Sequence, residues 1–163
     1  MRRVVVTGVG AITPLGIGAK AFWEGMVAGR SGIGRIQAWD PSGLDVQIAG
    51  EVRGFDPKDH MDPKAAKRMD RFAQFAVPAA REAIEGACLT INDQNREMIG
   101  AVINTGGGGI PTIEVEVLNM YNKGQKAVSP FLIPIFAPNM ASCQVSIAFG
   151  LRGPSINAAA ACA

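Results

Sequence analysis

The chain has 163 residues, 48% of them hydrophobic and 18% charged, which suits one domain with a buried core and excludes a disordered polyampholyte. Twenty glycines and ten prolines are many for a helical bundle, and a net charge of +2 is too weak a bias to argue for a nucleic-acid partner.

Taken in chain order, Val4–Gly10 reads as a first buried strand, β-branched and apolar. A short helix follows over Ala19–Val27, with Phe22, Trp23, Met26 and Val27 facing inward and Gly29 to Gly32 ending it. Residues 33–57 are irregular, with a short strand expected at Gln47–Val52. From Pro63 to Ala87 apolar residues recur at three- and four-residue steps, predicting one amphipathic helix that starts at Pro63 and bends at Pro78. Ile99–Asn104 reads as an apolar strand, Thr105–Gly109 as a glycine turn, Thr112–Tyr121 and Asn139–Phe149 as helices, and Ser155–Ala159 as a last strand. Apolar strands alternating with helices predict an α/β fold, a mainly parallel sheet covered on both faces.

Two segments mimic membrane signals. Met1-Arg2-Arg3 precedes an apolar run as in a leader, but Gly8, Gly10 and Pro14 break the run and favour a strand. The uncharged stretch between Lys126 and Arg152 has the length of a span. Pro130, Pro134 and Pro138 interrupt it, and Asn139, Ser142, Gln144 and Ser146 would need partners in lipid, so a buried loop entering a core helix is expected and the protein reads as soluble.

Cys88, Cys143 and Cys162 form no CxxC pair, so neither a disulfide framework nor a structural metal site is expected and a reducing compartment is the default. The single histidine, His60, lies in a charged stretch and reads as a solvated loop residue. Thr7-Gly8-Val9-Gly10 begins like a dinucleotide fingerprint, but Thr13 stands where the third glycine belongs and Pro14 follows, so a tight structural turn is the better reading. Gly106 to Gly109 lacks the lysine of a phosphate loop; its glycines allow close backbone approach to a strand or a ligand chain.

The C-terminal stretch Arg152-Gly153-Pro154-Ser155-Ile156-Asn157 runs through four alanines to Cys162. A strand–turn–helix there would set the thiol at a helix N-terminus, which favours the thiolate and supplies a backbone N–H for an oxyanion. By spacing alone, a buried inert cysteine in an alanine-rich strand fits equally well.

The chain resembles the N-terminal portion of the type II β-ketoacyl-[acyl-carrier-protein] synthases, the elongating condensing enzymes of fatty-acid synthesis. Four blocks carry the resemblance: Arg2–Gly10 with Thr13-Pro14-Leu15-Gly16, Lys67–Gln74, Ser129-Pro130-Phe131, and Gly150–Ser155 running to Cys162-Ala163. It implies an incomplete, layered thiolase-like fold over residues 1–163, truncated after the catalytic cysteine. It makes Cys162 the acyl-bearing nucleophile, because a thiolate is both nucleophilic near neutral pH and a competent leaving group. Lys64, Lys67 and Arg68, with Lys126 as a further candidate and Arg71 a weaker one, would form a basic patch for the acidic acyl carrier protein. Gly107, Ala161, Leu132 and Ile133 would line the acyl pocket, the last two across a homodimer interface, and Gly107 would widen it where relatives often carry a bulkier apolar residue.

The resemblance further implies a cytoplasmic enzyme acting on acyl and malonyl thioesters, with no nucleic-acid or membrane partner, no metal and no bound cofactor, the phosphopantetheine arriving on the carrier. Two departures stand out: Ala160 replaces the usual threonine before Ala161-Cys162, and the two histidines and lysine of the family lie downstream of Ala163, with His60 matching neither histidine. The chain alone is therefore expected to be inactive in condensation, and a non-catalytic product that pairs with an intact synthase or binds carrier protein is the alternative. A decarboxylating or chain-length-setting homologue and a coenzyme A-dependent thiolase relative are further readings; Cys162 argues against an inactive partner subunit and the basic block against coenzyme A.

Overall fold

A computed structural model describes residues 3–159 and Ala161, which alternate helices with short strands. Two units are distinct: Met1–Asp56 with Ala79–Leu89, and Pro57–Pro78 with Thr90–Ala163.

In the first unit Val4–Gly10 has no regular secondary structure and forms no strand, and Val4 is 95% exposed. Apolar, β-branched sequence favours extended backbone, but a strand also needs a ladder partner, and Val4–Gly10 pairs with none among the described residues. The pairing comes just beyond: β1 (Ile12–Thr13) runs antiparallel to β2 (Gly16–Ile17), with Thr13 opposite Gly16 across Pro14-Leu15. Thr13 Oγ1 accepts from Leu15 N at 3.2 Å and donates to the Gly16 carbonyl at 3.1 Å, which pins the hairpin. α1 (Ala19–Val27) has the expected bounds, and Gly29 at φ 64° ends it while Arg30 N bonds the Gly25 carbonyl at 3.0 Å. Its expected inward face is covered only in part: Phe22 is half-buried, but Trp23 is 64% exposed, and Met26 and Val27 are exposed as well.

α3 (Arg71–Gly86) contributes its Ala79–Gly86 end to this unit. That end explains the Gly8–Gly10 pair, and the explanation differs from a tight turn. A Cβ on Gly8 would stand 2.0 Å from the Ala83 carbonyl oxygen, and one on Gly10 1.9 Å from that of Ala79, so the helix and this segment approach as only glycine permits. Glu82 of the same helix accepts from Ala11 N at 2.9 Å and from Ala19 N, the first residue of α1, at 2.7 Å. β3 (Gly34–Arg35) pairs antiparallel with β4 (Ile48–Ala49), the core of the strand expected at Gln47–Val52. Behind it the Glu51 carboxylate accepts from Ala38 N at 2.9 Å and Gln37 N at 2.9 Å and lies 3.6 Å from Arg53. These backbone donors, Ala38 first, hold its pKa below the ordinary value against the desolvation that raises it.

In the second unit the expected Pro63–Ala87 helix is broken. Asp62 caps α2 (Pro63–Ala66) by accepting from Lys64 N at 2.8 Å and Ala65 N at 3.0 Å, with Pro63 in the first turn as expected. The chain leaves the helix over Lys67–Asp70 and re-enters it as α3. Gln74 bridges the break, its Nε2 donating to the carbonyls of Ala66 at 3.0 Å and Met69 at 3.1 Å. A periodic apolar pattern cannot register a four-residue break that side-chain bonds compensate. α3 runs on through the buried Pro78.

β5 (Ala101–Val102) and β6 (Ser155–Ile156) pair in parallel, shorter than the expected Ile99–Asn104 and Ser155–Ala159. Theirs is the parallel pair among the described strands; β1–β2 and β3–β4 are antiparallel, so the mainly parallel sheet is present only as this nucleus. α4 (Ile110–Lys123) is longer than the expected Thr112–Tyr121, because Pro111 tolerates the first turn and Gly124 at φ 84° ends it. α5 (Leu132–Phe136) forms where a loop was expected, and α6 (Met140–Phe149) matches Asn139–Phe149 closely, ending at left-handed Gly150. Ala66, Ala73, Val77, Ala101, Ala141 and Val145 are buried, a small-residue core around α3, α6 and β5.

Candidate active site

The chain that precedes Cys162 in sequence is held by polar side chains that extend the short ladder of β5 and β6. Ser142, on α6 and only 1% exposed, accepts from Ile103 N at 3.1 Å through its Oγ. The same Oγ lies 2.8 Å from the Ile156 carbonyl and 3.2 Å from that of Ile103, so its one proton goes to the shorter contact. Ile103 N also donates to the Ile156 carbonyl at 3.3 Å. One residue on, Asn157 Nδ2 donates to the Ile103 carbonyl at 2.8 Å, and Asn104 Oδ1 accepts from Ala158 N at 2.8 Å. Side-chain amides thus take over where backbone pairing stops and fix the chain to within four residues of the cysteine. Ala161 follows in a turn at φ 46°, left-handed for a residue with a Cβ. Ala160, Cys162 and Ala163 lie outside the described residues.

Of the residues expected in an acyl pocket, Gly107 lies in the exposed loop between β5 and α4, Leu132 and Ile133 open α5, and Ala161 is the turn residue. A Cβ on Gly107 would meet Ile110 Cδ1 at 3.2 Å. The loop is anchored beside it: Gly108 N bonds Thr105 Oγ1 at 3.1 Å, and Gly109 N bonds the Phe136 carbonyl of α5 at 2.8 Å. A Cβ on Gly109 would stand 2.6 Å from Asp70 Oδ2, so the close approach allowed by this glycine run is to Asp70 and α5. Thr112 Oγ1 of α4 donates to that same Asp70 oxygen, and Asp70 is only 8% exposed.

Lys64, Lys67 and Arg68 are exposed together on α2 and the break after it, and Lys126 is exposed in a short 3₁₀ turn over Gln125–Ala127. The Arg68 guanidinium sits 5.1 Å from the centre of the Phe131 ring, and Arg71 stacks within its own helix, 4.8 Å from the Phe75 ring. Glu116 of α4 accepts from Ser129 N at 2.8 Å, which ties Ser129-Pro130-Phe131 beside this basic segment. Lys67 also borders a cleft of about 340 Å³ shared with Met69, Pro111, Thr112, Val115 and Ile135. His60 is half-buried just after a 3₁₀ turn, its N–H bonded to the Pro57 carbonyl at 3.1 Å.

Among the described residues no three His, Cys, Asp or Glu side chains gather as a metal site would need, and no helix is long and apolar enough to cross a membrane.

The family described as "Beta-ketoacyl synthase, N-terminal domain" matches residues 1–163. The chain belongs to the β-ketoacyl synthase family. Among curated relatives, a "3-oxoacyl-[acyl-carrier-protein] synthase 2" of Staphylococcus aureus (strain N315) is 44% identical over 99% of this chain and 39% of its own. One of the same name from Synechocystis sp. is 45% identical, again over 99% of this chain and 39% of its own, so this β-ketoacyl synthase sequence spans about two-fifths of the relatives' length. Solved structures agree on the thiolase-like α/β fold. "The ishigamide ketosynthase/chain length factor" superposes with a TM-score of 0.80 at 29% identity, covering 96% of this chain and 39% of that one. A β-ketoacyl synthase from Burkholderia phymatum superposes with a TM-score of 0.74 at 23% identity, covering 99% and 40%, and supports the fold alone.

The hydrogen bonds that Ser142, Asn104, Asn157, Asp70 and Thr112 make around the candidate site were not legible in the sequence. Ser142 carried a signal, a hydroxyl in an otherwise uncharged apolar stretch that had to find a partner. Asp70 sat inside a charged run, Lys67-Arg68-Met69-Asp70-Arg71, that gave no sign it would be buried.

Proposed function

We propose that, in the protein at its native length, this domain carries the nucleophile of an elongating 3-oxoacyl-[acyl-carrier-protein] synthase. Cys162 attacks the carbonyl of an acyl thioester, forming an enzyme thioester as the carrier's thiol leaves. A malonyl thioester then loses carbon dioxide, its carbanion attacks the acyl carbonyl, and the Cys162 thiolate departs as the carbon–carbon bond closes. The observation that carries this reading is the family match across the whole chain, joined to relatives named for this activity at 44–45% identity.

The proposal extends to the residues around the nucleophile. Lys64, Lys67, Arg68 and Lys126 dock the acidic carrier protein, a role supported by their shared exposure. Gly107, Ala161, Leu132 and Ile133 line the acyl pocket, with Ile133, 64% exposed on α5, free to reach a second copy in a homodimer. The enzyme works in the cytoplasm, where its thiol stays reduced, and uses the carrier's phosphopantetheine with no cofactor or metal of its own.

The test is condensation by the native-length protein supplied with acyl and malonyl carrier protein. Carbon dioxide release coupled to 3-oxoacyl product, abolished by Cys162→Ala, is expected. Turnover of coenzyme A thioesters with no use of the carrier would overturn the reading.

A further inference from the structure

Asp70 is a buried carboxylate that the condensing chemistry does not use. It lies at the junction of three elements: it stands immediately before α3, its carboxylate takes the Thr112 hydroxyl from α4, and it abuts Gly109, whose N–H is bonded to the end of α5. Its own backbone carbonyl accepts from Ala73 N and Gln74 N, both at 3.0 Å, so the first turn of α3 fixes where the carboxylate stands. Gly107 is two residues from Gly109 in a loop whose other internal tie, Gly108 N to Thr105 Oγ1 at 3.1 Å, is local.

Asp70 therefore holds the C-terminal end of the loop from both sides: by contact with Gly109, where not even a Cβ fits, and by the bond that places the first turn of α4. The hydroxyl it binds belongs to a residue lining the cleft that Lys67 borders, so the anchor of the loop touches the basic segment's own cleft.

We infer that Asp70 is a positioning residue for acyl-chain selectivity, acting through Thr112 and Gly109 to set where the 105–109 loop, and with it Gly107, stands. The inference rests on the reading above in which Gly107 lines the acyl pocket. Removing the carboxylate or the hydroxyl takes away one of the loop's two outside ties and leaves the bond from Gly109 N to the Phe136 carbonyl, so the loop shifts rather than detaches, and a loop that shifts at Gly107 changes the room offered to the chain.

The experiment measures kcat/KM of the native-length protein for short-chain and long-chain acyl carrier protein donors. The ratio of the two constants cancels the fraction of active enzyme, so a merely destabilised variant leaves it unchanged. Asp70→Ala and Thr112→Val are expected to change the ratio by roughly fivefold or more, in the same direction, with the double variant close to the larger single effect. Thr112→Ser, which keeps the hydroxyl, is expected to retain the parent ratio. Thr112→Val serves alone if Asp70→Ala does not fold. A uniform loss across donors, or no change in the ratio, overturns the inference when Gly107→Ile does shift the ratio in the same assay. If Gly107→Ile leaves the ratio unchanged, the acyl-pocket reading itself fails and this inference falls with it.

Discussion

Ser142→Ala removes a buried hydroxyl that joins α6 to both strands leading toward Cys162. The magnitude follows from the bonds. The Oγ accepts from Ile103 N at 3.1 Å and donates to the Ile156 carbonyl at 2.8 Å, so two neutral hydrogen bonds are lost. Neither backbone partner is orphaned, because Ile103 N and the Ile156 carbonyl keep each other at 3.3 Å. The full penalty of an unpaired buried group is therefore avoided, and the expected cost is about 1–2 kcal/mol, the net worth of two ordinary bonds. Thermal unfolding of the native-length protein reads this as a Tm lower by a few degrees. The rate of acyl transfer to Cys162 should fall with it, because Asn157 and Ala158 hang from the same strand end. An unchanged Tm together with an unchanged acylation rate would refute the claim that Ser142 holds the chain that precedes Cys162.

Three further outcomes are expected. Glu82→Gln replaces a carboxylate that bonds Ala11 N and Ala19 N with an amide that has one acceptor, and should cost about 1–3 kcal/mol by thermal unfolding. Cys88 stands at φ 52° just past α3, where glycine carries no Cβ penalty, so Cys88→Gly should raise stability by about 1 kcal/mol in the same measurement. Because the pKa of Glu51 is lowered on folding, its stabilising contribution is present above the unfolded carboxyl pKa and is lost as pH falls through the folded one. Glu51→Gln should accordingly flatten the acid limb of a Tm-against-pH curve and leave the neutral limb parallel to that of the parent protein.

The bounds of α1 and α6 were readable because local chemistry sets them: Gly29 and Gly150 adopt the left-handed ends that stop each helix. The covering of α1 was not, since periodicity marks an apolar face without saying what packs on it, and Trp23 is left exposed. Val4–Gly10 failed as a strand for a related reason. Its residues favour extension, but a ladder is a property of two segments, and the nearest neighbour of Gly8 and Gly10 is helix α3. The break at Lys67–Asp70 was hidden because Met69 keeps the apolar spacing while Gln74 replaces the missing helical bonds. At the candidate site, the stretch ending in Cys162 and the basic block stood out in the sequence as blocks of residue types, and the roles given to them are proposals. The polar clamps Ser142, Asn104 and Asn157 did not stand out, because each acts on backbone groups remote in sequence.

The most direct test of the central claim is peptide mass mapping of the native-length protein after exposure to an acyl carrier protein donor. The account predicts one acyl group on the peptide containing Cys162, discharged when malonyl carrier protein is added and absent in Cys162→Ala. Product formation with Cys162 unmodified, or undiminished in Cys162→Ala, would contradict it.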